Sequence, residues 1–173
     1  MTRGVLLAAV VLIAACAPGS AATSTPTASP TAPVSTASQT AAAASAPPTS
    51  SAPPTATLSG GGIGAVQGDL GSIIWNGLTS DTPWVVNPNG PAVNTGTPLA
   101  ISADGVAPDR WAASWARVSG NQAGKPQDGG SGQGGGPIKV SAPTAAGTWG
   151  LRFEAWFGPY NSATWYWRVE VSS

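Results

Sequence analysis

The residues able to do chemistry in this chain are few. It has two glutamates, Glu154 and Glu170, a handful of aspartates, one cysteine and no histidine. Without histidine it lacks the commonest general base and the commonest transition-metal ligand, and no Ser-His-Asp arrangement can form. A glycosidase would need two carboxylates roughly 5–10 Å apart across a cleft. Glu154 and Glu170 instead sit in alternating runs beside Arg152 and Arg168, a setting for ion pairs on a solvated sheet face. Asp104, Asp109 and Asp128 fall among glycines and prolines without EF-hand spacing, which fits turn formation better than calcium binding. Gly129 to Gly136 is glycine-rich but has no Gly-Lys-Ser/Thr ending, so it is not a phosphate-binding loop. Lys125 and Lys139 suggest no Ser-Lys dyad. The expectation is a chain with no catalytic residue, no metal and no cofactor, and a hydrolase of unusual type is the remote alternative.

Tryptophan is the one excess that bears on function. All eight, with both tyrosines and both phenylalanines, come after Leu58. Most must fill a core, but Trp156 and Tyr166 fall on the polar phase of their runs and are the candidate ligand-binding residues. An outward aromatic pair can stack on sugar rings or anchor a protein partner.

The elements that would position these residues are strands. No stretch after Leu58 carries a 3.6-residue apolar stripe, and several alternate with period two between Gly, Pro, Asn and Asp clusters. The two best runs are Trp149 to Phe157 and Trp165 to Val171. Folded as a hairpin around Gly158 to Ala163, they suggest pairing Arg152 with Glu170, Glu154 with Arg168 and Trp156 with Tyr166 outside. Inside, Leu151 would meet Val171, Phe153 would meet Val169, Ala155 would meet Trp167 and Phe157 would meet Trp165. Further strands are expected at Thr97 to Ala103, Trp111 to Val118 and Ile138 to Val140, with Trp115 as the central core tryptophan. Ile73 to Trp75 and Trp84 to Val86 are shorter candidates. Gly120 to Gly136 reads as a mobile loop.

The run from Ala142 to Trp149, with its Pro143 and Gly147-Thr148-Trp149, resembles the turn into the sixth strand of immunoglobulin-like domains. The resemblance implies an all-β immunoglobulin-like antiparallel sandwich over residues 58–173 and says nothing of function. Trp149 stands where that family has a tyrosine bonded back to the corner, which leaves the corner bond open.

The N-terminus gives an address. Arg3 precedes an apolar run of about ten residues, too short for a membrane span of roughly 20. It ends in Ile13-Ala14-Ala15-Cys16, which resembles the lipobox of bacterial lipoproteins. The resemblance implies a signal peptide over residues 1–15, cleavage after Ala15 and diacylglyceryl transfer to the Cys16 thiol. Two acyl chains are enough for stable anchoring at the extracytoplasmic face of the cell membrane. Residues 16–57 are nearly all Ala, Ser, Thr and Pro, a composition that cannot bury enough apolar surface to fold. They read as a disordered tether reaching some tens of ångströms, suited to O-glycosylation.

Charge excludes one partner class. Seven basic and seven acidic residues balance, and charged residues make up 8% of the chain. Nucleic acid, which requires clustered Lys and Arg, is not an expected partner. The sequence thus points to a lipid-anchored, non-catalytic β-sandwich for binding or envelope support. Its partner would be a polysaccharide or an envelope protein, and a carbohydrate-binding module using Trp156 and Tyr166 is the alternative.

Overall fold

The computed structural model describes residues 50–82, 87–134 and 136–173. The expected signal peptide, Cys16, nearly all of the expected tether and the candidate strand Trp84 to Val86 lie outside the described residues. Among those described there is no helix, and twelve strands form two sheets packed as an antiparallel β-sandwich. In chain order they are β1 Ala56–Gly60, β2 Ile63–Gln67, β3 Asp69–Trp75, β4 Leu78–Ser80, β5 Ala92–Asn94 and β6 Pro98–Ala103. Then come β7 Arg110–Ser119, β8 Gln122–Ala123, β9 Gln127–Gln133, β10 Ile138–Ser141, β11 Gly147–Phe157 and β12 Asn161–Ser172. The first strand begins two residues before Leu58, and Ala56 is fully buried, so the fold takes in the last residues of the expected tether.

The smaller sheet runs β10-β6-β1-β2 and the larger β4-β3-β12-β11-β7-β8, with β9 also paired to β7 and β5 to β12. Every pairing is antiparallel except β5 on the end of β12, which is parallel. The order β10-β6-β1 against β12-β11-β7-β9 is that of strands E-B-A against G-F-C-C′ in an immunoglobulin-like sandwich. Strands β2 to β4 are additions that the sequence pattern only partly announces. No strand among the described residues pairs with the outer edge of β10, the place of strand D in that order.

Alternation builds the core. Leu58, Leu99, Ile101, Ile138 and Val140 of the smaller sheet face Trp115, Leu151, Phe153, Trp165 and Val169 of the larger. Phe153 stacks on Trp165 at 5.7 Å between centroids, and Trp75 meets Phe157 edge-on at 5.4 Å. Leu151, Phe153, Ala155, Phe157, Trp165, Trp167, Val169 and Val171 all point inward, as expected.

The register of β11 on β12 differs from the expected one. Arg152 faces Tyr166 rather than Glu170, and Glu154 faces Thr164, a slide of four residues. An even slide keeps every side chain on its face, which is why the inward set survives. The turn decides it. Phe157 pairs with Asn161 across a three-residue loop, entered at Gly158 with φ +68°, and β12 starts at once. The buried Asn161 side chain then accepts the Asn76 N–H at 2.9 Å. Exposed ion pairs contribute at most about 1 kcal/mol, too little to widen that loop. The charges pair along each strand instead, Arg152 with Glu154 at 2.8 Å and Arg168 with Glu170 at 3.1 Å.

The glycine-rich stretch corrects a second expectation. Gln127–Gln133 is not a loop but the strand β9, paired with β7 through a bulge opposite Ala113 and Ser114. Its glycines fit against indoles: a Cβ on Gly132 would lie 2.9 Å from Trp111 Nε1, and one on Gly129 would lie 3.0 Å from Trp115 Cδ1. Larger residues would lift the strand off the sheet.

Candidate functional site

The two aromatic residues singled out from the sequence do not form a pair. Trp156 faces Ser162 on one side and Arg110 on the other, with the Arg110 guanidinium 4.2 Å above its ring. It is half-buried beside a groove of about 360 Å³ that Asp109, Arg110, Gln133 and Pro159 also line. Tyr166 lies further along β12, opposite Arg152 and Asp69, and is only 7% exposed. Strand β3 covers it so closely that a Cβ on Gly71 would fall 2.3 Å from its ring. That burial raises the Tyr166 pKa, against the lowering pull of the Arg152 guanidinium. The slide in register separates the two rings, and β3 removes one of them from the surface.

The carboxylates are engaged structurally. The Glu170 pKa is lowered, first by the Thr148 hydroxyl, which donates to it at 2.7 Å, and then by Arg168. Asp109 accepts the Gly158 N–H, tying the segment before β7 to the loop after β11, and Asp128 accepts the Gly130 N–H at 2.9 Å across the bulge of β9 rather than in a turn. Asp104 is exposed, and its N–H donates to Thr55 O. Among the described residues no three His, Cys, Asp or Glu gather as a metal site.

The larger concavity is elsewhere. A groove of about 570 Å³ opens where the edge strands β9 and β10 diverge on one side of the sandwich. Gln127 to Gly129 form one bank and Lys139 to Ser141 the other, and the corner Ala142 to Ala145 closes one end. Trp115, Arg117 and Trp149 complete the lining. Arg117 lies 4.8 Å above the Trp149 ring. Among the described residues neither Arg117 nor Lys139 has a carboxylate within ion-pair distance, so the groove presents two cations free of ion pairs against the single acid Asp128.

The corner itself answers what the sequence left open. Trp149 Nε1 donates to Ala145 O at 2.9 Å, so an indole makes a corner bond like the one a tyrosine makes in immunoglobulin-like domains. Trp75 and Trp167 are fastened in the same way, to Ser50 O at 3.0 Å and Val66 O at 2.9 Å. Trp115 is not: it is 3% exposed, and its Nε1 has no acceptor. A buried donor without a partner costs about 1–3 kcal/mol. This one lies in the groove lining, on the ring edge facing Gly129.

Sequence reasoning placed Trp115 in the core and missed Arg117, Lys139 and Ser141 as groove residues. The signal was slight, a lone lysine between the inward Ile138 and Val140. Comparison with protein families, with curated proteins and with solved structures finds no match to this chain.

Proposed function

We propose that this chain is a lipid-anchored extracytoplasmic lipoprotein whose β-sandwich is a non-catalytic binding module, held off the membrane by its Ala/Ser/Thr/Pro tether. The observation that carries the binding reading is the groove between β9 and β10, with Arg117 and Lys139 lacking carboxylate partners. Its lining pairs no acid with a base for proton transfer. Both glutamates are held by arginines on the outer face, and the chain has no histidine. The anchor reading rests on the lipobox-like Ile13-Ala14-Ala15-Cys16.

Two measurements test the two halves. Expressed in a bacterial host with labelled palmitate, the chain should carry label and sediment with membranes, and Cys16→Ser should lose both. Label-free chain in the soluble fraction would refute the anchor. Amide chemical shifts of the full chain, followed during titration with envelope glycans and envelope peptides, should move at Lys139 and Ser141. A hydrolytic activity removed by a point substitution in the sandwich would overturn the non-catalytic reading.

A second reading keeps carbohydrate binding at the other groove. Trp156 there combines an aromatic ring with the polar Asp109 and Gln133, a mix that suits a sugar ring. A Trp156→Ala variant that loses glycan binding while Lys139→Glu retains it would favour that site.

A further inference from the structure

The groove lies along the edge of the smaller sheet that no strand among the described residues covers. Among the described residues, strand β10 pairs with β6 on one side only. The antiparallel register fixes which of its backbone groups are spent there. Ala142 N–H donates to Thr97 O at 2.9 Å, so the hydrogen-bonded pairs are Ala142 with Thr97, Val140 with Leu99 and Ile138 with Ile101. Lys139 and Ser141 belong to the alternate pairs, opposite Ala100 and Pro98, and Pro98 has no N–H to give. Their own N–H and C=O groups therefore point away from β6, and both residues line the groove. Four residues of β10 at about 3.3 Å each offer a template roughly 13 Å long.

An open edge of this kind pairs with extended backbone, whose main-chain hydrogen bonds supply affinity while side-chain contacts supply selectivity. Charge chooses the occupant. Lys139 on β10 and Arg117 on β7 flank the edge without ion-pair partners, and the one acid in the lining, Asp128, accepts the Gly130 N–H and leaves the lining net positive. A second β10 would set Lys139 near Lys139, which opposes self-pairing of this edge. A strand carrying Asp or Glu meets both cations. A sugar would use hydroxyls and exposed rings, but Trp115 and Trp149 are 3% and 2% exposed, which leaves little ring face to stack on.

Building on the binding-module reading, we propose that the groove receives an extended acidic peptide segment of a partner protein. The segment adds as a strand to β10 at Lys139 and Ser141, with its carboxylates against Lys139 and Arg117.

The test uses the full chain and two ten-residue peptides, five repeats of Thr-Glu and five repeats of Thr-Lys, with polygalacturonate as an anionic sugar control. Backbone amide shifts and hydrogen exchange are read at Lys139 and Ser141. The Thr-Glu peptide should shift both amides and slow their exchange, and Lys139→Glu should weaken its binding roughly threefold to tenfold. Because Lys139 is exposed and unpaired, that variant should keep the parent melting temperature, and it should bind the Thr-Lys peptide better than the parent does. Equal response to both peptides, or shifts without slower exchange, would overturn strand addition by an acidic segment. Protection by polygalacturonate alone would overturn it too, while leaving the groove a binding site. Silence of both amides toward all three probes would overturn the proposal together with the binding reading on which it rests.

Discussion

On the side of the sandwich where β3 and β5 lie along β12, the buried indole donors find acceptors. Trp75 Nε1 meets Ser50 O, Trp167 Nε1 meets Val66 O, and the parallel pairing of β5 closes the end of β12. On the side where β9 and β10 diverge, Trp115 Nε1 meets nothing, and Lys139 and Ser141 turn their backbone groups outward. Both sides use the same device, an inward tryptophan under a glycine-bearing edge: Gly68 lies on Trp167 and Gly129 on Trp115. The difference is that strands cover the edge on one side, whereas on the other no strand among the described residues pairs with the outer edge of β10. Stability is concentrated where the polar atoms are satisfied, and the proposed binding site lies where they are not.

The comparison can be broken most strongly through backbone contacts. A Cβ on Gly90 would lie 2.1 Å from the Arg168 carbonyl oxygen, so Gly90→Ala must push β12 and should cost about 2–3 kcal/mol. Gly136, beside the open side, has nothing within 4 Å, and Gly136→Ala should stay within about 0.5 kcal/mol of the parent. Chemical denaturation of the two variants checks the difference, and equal losses would mean that both sides are equally covered.

A finer test compares two indoles. Trp167→Phe and Trp115→Phe remove the same volume from similarly buried positions, so their cavity costs are close. Trp167→Phe also removes a hydrogen bond that is made, from the indole to the Val66 carbonyl, whereas Trp115→Phe deletes a donor that has no acceptor. Trp167→Phe should therefore be the more destabilising by about 1–2 kcal/mol. Equal melting temperatures for the two variants would mean that the Trp115 N–H is satisfied in solution.

The smallest effect sits at Glu170. Its lowered pKa means that the carboxylate stabilises the fold above its unfolded-state value, and that this is lost as pH falls through the folded value. The side chain is 43% exposed, so solvent screening keeps the contribution slight. Thr148→Val removes the leading cause, and NMR titration should then show the Glu170 pKa moving up toward its ordinary range. No movement would mean that Arg168 holds it alone.

The inward faces of β11 and β12 were legible in the sequence because period-two alternation survives any even slide of register. The register itself was not. Arg152, Glu154, Arg168 and Glu170 satisfy one another equally well along a strand as across two, so their pattern carries little energy. The short loop after Phe157, which fixes the pairing, is plain only once Asn161 is seen buried. Strand β9 was illegible because its glycines have weak strand preference, and their value lies in the space they leave for Trp111 and Trp115. The pairing of Trp156 with Tyr166 fell with the register. The groove could not be read at all, since it is made by the edge of β10, with which no strand among the described residues pairs on that side.

The account turns on that open edge, and amide hydrogen exchange in the free full-length chain tests it most directly. Ile138, Val140 and Ala142 should exchange slowly, with their N–H groups held by β6, while Lys139 and Ser141 between them exchange fast. Uniform protection from Ile138 to Ala142 would show that the edge is already filled, and would contradict the central claim.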